Sequence, residues 1–168
     1  MSGNLYLTSG ISASGKSKFA NYIKEALQAK EVNADNIRAE FGDISDQSNN
    51  EKVFKRVDED IVKYLAGGYS VILSNTNLHY FSMVNYAKKF PYNKIIVFLM
   101  EDSLKPELCK ERIHEDIKNG VNRSKVPDEI IDKQFKNFYY LLDDIKEKEH
   151  PNNLVFFVVD SNFAIKGL

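Results

Sequence analysis

Apolar and polar positions along the chain alternate between two periods. Residues 4–10, "NLYLTSG", form a short apolar run closed by glycine, the pattern of a buried strand. From Lys16 to about Lys30 the apolar residues Phe19, Ile23, Ala26 and Leu27 return at helical spacing. The next stretch, "EVNADNIRAEFGD", predicts a short extended piece and then a helical turn starting near Asp35. Val53, Val57, Ile61 and Leu65 then recur every fourth residue, and Gly67-Gly68 ends that helix. "YSVILSN" (69–75) is β-branched and apolar on both faces, as a fully buried strand requires. A polar turn and a helix from about Tyr80 to Phe90 follow, broken by Pro91. "KIIVFLM" (94–100) predicts another buried strand, and "LKPELCKERIHEDIKNG" a helix ended by Gly120. After a basic loop, "VNRSKVP", a long helix begins at Pro127, and "NLVFFVVD" closes the chain as a strand.

Strands that are apolar on both faces and alternate with helices imply a parallel sheet covered on each side. With right-handed crossovers this gives a three-layer α/β fold with about five strands. The 168 residues suit one domain, and no repeat, low-complexity tract or linker interrupts them.

Composition removes several classes of function. A formal net charge of −1 gives no global basic field of the kind that general DNA binders carry, although a local basic groove remains compatible with it. The single cysteine, Cys109, excludes an internal disulfide and a multi-cysteine metal site. His79, His114 and His150 are scattered without metal-ligand spacing. No run is long enough to cross a bilayer and no leader pattern opens the chain, so a reducing cytoplasm is the expected compartment.

The first chemical signal is "GISASGKS", Gly10-x4-Gly15-Lys16-Ser17, placed between a strand and an amphipathic helix. Gly10 and Gly15 let the backbone turn its amides, through Ser12, Ala13 and Ser14, around nucleotide phosphates. Lys16 supplies a point charge to the outer phosphates and Ser17 a hydroxyl for Mg²⁺. The helix start adds its positive end. ATP and Mg²⁺ are therefore the expected cofactors.

A phosphate loop does not name the acceptor. Asp35, at the predicted end of the second strand, could take the proton of an attacking hydroxyl. Arg38, one turn on, could clamp a phosphate or carboxylate. The plainer alternative makes Asp35 a helix cap and Arg38 solvated surface. The charged segment at about 112–127, with Gly120 as hinge, reads as a closing lid whose cations neutralise the transferring phosphoryl group. The aromatic residues of "FKNFYYLL" fall at core spacing, and Asp160-Ser161 fall beside the adenine on topology alone.

Taken in order, "GISASGKS", "NADNIR", "VILSNTNL" and "ERIHEDIKNGVNRSKVPDEIID" resemble the kinase domain of phage-type polynucleotide 5′-hydroxyl kinases, over nearly the whole chain. The resemblance implies a P-loop kinase fold and ATP- and Mg²⁺-dependent phosphorylation of a DNA or RNA 5′-hydroxyl. It also implies Asp35 as general base and Arg38 as the holder of an acceptor phosphate. Three departures accompany it. Asn75 stands where the family usually has aspartate, which supports the metal and the loop. The basic segment is longer, leaving Arg112, Lys118 and Arg123 as candidates for the lid cation, with Arg123 favoured by its closeness to Val126-Pro127. The phosphatase domain often fused to such kinases has no counterpart, so a phosphatase or ligase would be a separate partner. A homo-oligomer stays open. The rival expectations are a kinase of another hydroxyl, on a modified base, a nucleotide or a small metabolite, and a nucleotide-binding regulatory module without catalysis.

Overall fold

The computed structural model describes residues 3–168. One six-stranded sheet organises it, built from β1 (Leu5–Ser9), β2 (Lys30–Val32), β3 (Val71–Leu73), β4 (Ile95–Met100), β5 (Leu154–Val159) and β6 (Ile165–Gly167). The strand order is β2-β3-β1-β4-β5-β6. The first five are mutually parallel and β6 returns antiparallel to β5. Strands β1, β3 and β4 lie in the middle, and their side chains are almost entirely buried. That is why they read as continuous apolar runs and not as alternating ones.

The sheet is flanked by α1 (Lys16–Leu27), α2 (Ala34–Phe41), α3 (Asn50–Ala66), α4 (Tyr80–Lys89), α5 (Pro106–Lys118) and α6 (Asp128–Glu147). Val53, Val57, Ile61 and Leu65 form the buried stripe of α3, as their spacing predicts. Phe19, Ala20 and Ile23 of α1 pack with Ile72, Phe98, Met100 and Val159 in one apolar cluster. A larger cluster takes the inward faces of α3, α4, α5 and α6.

Four expectations need correction. The sheet has the five parallel strands expected, but a sixth, antiparallel strand follows them, so "NLVFFVVD" is not the last. β6 was illegible because it is three exposed residues long, too short for a period to register. Its turn is held by Asp160, whose Oδ1 accepts from the amides of Asn162 at 2.9 Å and Ala164 at 3.0 Å. Asp35 does not end a strand or cap a helix. Asn33 is the cap of α2, with its side chain accepting from the Asn36 amide at 3.0 Å, and Asp35 sits within the first turn. Arg38 is not solvated surface either, since it is only 5% exposed. Finally, the expected lid at about 112–127 starts inside α5, the helix predicted to end by Gly120, so its irregular part begins only after Lys118. Among the described residues no helix is long and apolar enough to cross a membrane.

Candidate active site

At the C-terminal edge of the parallel strands lies a cleft of about 1300 Å³. Open α/β sheets bind ligands at this edge. The volume exceeds that of an ordinary single-ligand pocket, so it can take a nucleotide and a second substrate together.

The loop between β1 and α1 forms its floor. A Cβ on Gly10 would stand 2.4 Å from Ser103 Oγ and 2.5 Å from Ser14 Oγ, which leaves room only for glycine. Gly15 takes a left-handed φ of 99°, and Ala13 shares the region at 63°. Ser103 Oγ accepts from the Ile11 amide at 3.1 Å, and Gln134 of α6 accepts from the Ser12 amide at 2.8 Å. The Lys16 ammonium folds back onto the Ile11 carbonyl at 2.5 Å. The Lys16, Ser17 and Lys18 amides, opening α1, have no intrahelical acceptor by helix geometry. The buried Ser14 hydroxyl also lacks a partner. A concave backbone with unspent donors and a buried cation fits a polyphosphate. Burial pushes the Lys16 ammonium down to about 8, and the nearby Arg123 charge adds to that while Asp35 opposes it.

The opposite wall comes from β2, β3 and the helices after them. Asn75, following β3, accepts from the Ala34 amide at 2.8 Å through Oδ1 and so fixes the first residue of α2. Asn33 Nδ2 donates to Ser74 at its carbonyl and hydroxyl oxygens, both at 3.0 Å. The Ser74 hydroxyl donates to Glu31 at 2.8 Å. Asn77, at a left-handed φ of 45°, ties the ends of β1 and β3 through the Thr8 and Leu73 carbonyls at 2.8 and 3.0 Å. On this base Asp35 pairs with Arg38, one turn along α2. Arg38 reaches on to Asn50 Oδ1 at 2.9 Å, while its buried Nε has no acceptor.

The roof carries two arginines, each paired with a carboxylate. Arg112 donates to the Ala13 carbonyl and to Asp102, each at 2.9 Å, which pins α5 onto the phosphate loop. Arg123, on the irregular segment after α5, pairs with Asp116 and keeps a buried Nε without an acceptor. The cleft thus gathers Gly15, Lys16, Ser17, Asp35, Arg38, Asn75, Arg112 and Arg123, along with Ser12, Ala13 and Ser14, and Gly10 closes the loop behind them. Lys118 is different: it is exposed at the end of α5 and does not line the cleft. Sequence reasoning missed Asn50 and Gln134, polar helix residues that reach cleft residues on other elements, Arg38 and Ser12. It also missed Lys125, whose amide donates to Ser45 Oγ at 3.3 Å and joins the segment after α5 to the loop after α2.

Sheet order, phosphate loop and flanking helices define a P-loop nucleotide-binding fold of the kinase type. The chain matches the family described as "AAA domain" over residues 5–141 and belongs to that family. No curated protein sequence matches it. Among solved structures, a chain of the Pnkp1/Rnl/Hen1 RNA repair complex superposes with a TM-score of 0.76 at 22% identity, covering 90% of this chain and 48% of that one. The chain therefore spans about half the length of that protein. A candidate kinase from Chloroflexus aurantiacus gives a TM-score of 0.65 at 14% identity, covering 96% and 89%. A gluconokinase from Sinorhizobium meliloti gives 0.53 at 17%, covering 94% and 82%. At these identities the likeness establishes a shared fold.

Proposed function

We propose that this protein is an ATP- and Mg²⁺-dependent kinase that phosphorylates the 5′-hydroxyl end of DNA or RNA, working as a single kinase domain of residues 1–168. The observation that carries this reading is the Asp35–Arg38–Asn50 array, set in the same cleft as the phosphate cradle. A carboxylate beside a buried guanidinium supplies both a proton acceptor and an anion clamp for a hydroxyl attached to a phosphate strand.

Bound ATP would supply the phosphoryl group, and Mg²⁺ would screen its charge. The chain's own residues do the rest. The loop amides and Lys16 would hold the donor phosphates, and the Ser17 hydroxyl would be available as a ligand for Mg²⁺. Asp35 takes the proton of the attacking hydroxyl, and Arg38 holds the acceptor's phosphate. Asn75 brings no charge but holds α2, and with it Asp35, against β3. Arg112 and Arg123 spread the charge that builds up during transfer, a contribution that depends on excluding water. Residues 119–127 act as the lid, and Arg123, not Lys118, is its working cation, because Arg123 alone of the two lines the cleft.

The near-neutral net charge and the gluconokinase-like fold favour one competing acceptor, a small hydroxyl metabolite. A panel assay with γ-labelled ATP decides between them. Label should appear on 5′-hydroxyl oligonucleotides. Label only on free nucleotides, modified bases or sugar acids rejects the 5′-end acceptor, and nucleotide binding without any transfer rejects the kinase.

A further inference from the structure

Beyond Arg38 the acceptor wall changes character. Asn50 has both ends of its side-chain amide engaged: Oδ1 accepts from Arg38 at 2.9 Å and Nδ2 donates to Gln47 at 2.9 Å. One helical turn further along α3 stands Phe54. It lines the cleft and is 48% exposed. The stripe of α3 that feeds the core is Val53, Val57, Ile61 and Leu65, so Phe54 is not needed there. It belongs to neither apolar cluster of the described residues and pairs with no other ring. Ile44 and Val121 also line the cleft, from the two segments joined through Ser45 and Lys125.

We infer that Phe54 is a stacking platform for the first nucleobase of the acceptor, with Ile44 and Val121 supplying apolar cover. This deepens the 5′-end reading and rests on it. A phosphate held by Arg38 places the attached nucleoside within reach of the next turn of α3, where a flat apolar ring is the free surface. Every nucleobase has a face that can stack on such a ring without regard to sequence. A polyhydroxylated metabolite would need converging donors and acceptors there, and the side-chain amide one turn before Phe54, that of Asn50, is already engaged by Arg38 and Gln47.

The test uses two 5′-hydroxyl oligonucleotides, identical except that one has an abasic first residue, at saturating ATP. The wild-type protein should show a KM about tenfold lower for the strand with the terminal base, in line with the worth of a base–aromatic stack. Phe54→Ala should bring the two KM values together, and Phe54→Leu, which keeps apolar bulk without a flat ring, should do nearly the same. Phe54→Tyr should keep the preference. Phe41→Ala should keep it too, since Phe41 is equally exposed but ends α2 outside the cleft. Equal KM values in the wild type, or an undiminished preference in a folded Phe54→Ala or Phe54→Leu, overturn the inference. Failure of the wild type to label either strand instead removes the 5′-end function itself, and this inference with it.

Discussion

Lys16 shows how a functional side chain strains its own fold. Its ammonium is nearly buried, and its ordinary pKa of 10.5 falls to about 8. Between those values the unfolded chain binds more protons than the folded one, so unfolding free energy rises with pH across that window. Below pH 8 the buried charge destabilises the empty protein by up to about 3 kcal/mol. Lys16→Met should therefore melt higher than wild type at pH 7 while losing phosphoryl transfer, and the difference should shrink towards pH 10.5. Paired thermal melts across that range check it, and a variant that melts lower throughout would contradict the burial argument. Asp35 makes the opposite case, because its side chain is nearly half exposed and bonded only through Arg38. Asp35→Asn keeps the shape and removes the proton acceptor, so transfer should fall by about 10²- to 10⁴-fold. Nucleotide affinity, read by calorimetry, should stay near the wild-type value.

At the scale of elements, the site depends on how α2 is hung from β3. Asn75 Oδ1 holds the Ala34 amide, one of the unpaired donors at the start of α2. Asn75→Ala removes that acceptor at a cost of about 1 kcal/mol and lets Asp35 drift. Its kcat should drop while KM for ATP changes little. Asn75→Asp keeps the acceptor and adds a negative charge at a helix N-terminus, so it should melt slightly higher than wild type. Equal kcat for wild type and Asn75→Ala would show that α2 is held by other contacts. Such long-range ties mark the limit of what the sequence discloses. The phosphate loop was legible because all its residues are consecutive and its neighbours announce a strand and a helix. The α3 stripe was legible from period alone. Asn75 could be seen as a departure from a family pattern, but not as the anchor of a helix 41 residues earlier. The burial of Arg38 was hidden for the same reason, since the group that seats it, Asn50, lies on the next helix. The strand β6 escaped because three exposed residues carry no period.

The whole molecule sets how strongly a nucleic acid can be held. Lys16, Lys18, Arg38, Arg112, Arg123 and Lys125 line the cleft, and as many carboxylates line it with them. The net charge of −1 adds no attraction from a distance. Of the six cations, Lys16 sits in the phosphate loop, Lys18 stands on the first turn of α1 on the donor side, Arg112 is tied to the Ala13 carbonyl and to Asp102, and Arg123 is paired with Asp116. Under the proposed 5′-end function, Arg38 and Lys125, on the wall and the segment joined to it, would be the cations that meet the acceptor strand. About two phosphate contacts on a single strand release few counterions, so the slope of log KM against log salt should be only about 1.4. A protein that grips six to ten phosphates would show a far steeper dependence. Initial rates at saturating ATP between 50 and 200 mM salt, the range over which extended binders lose most of their affinity, give the slope directly. Arg38→Gln should reduce it by less than one unit while raising KM. A steep slope in the wild type would instead place a second, more basic strand path outside the cleft, and the short-footprint picture of this kinase would be wrong.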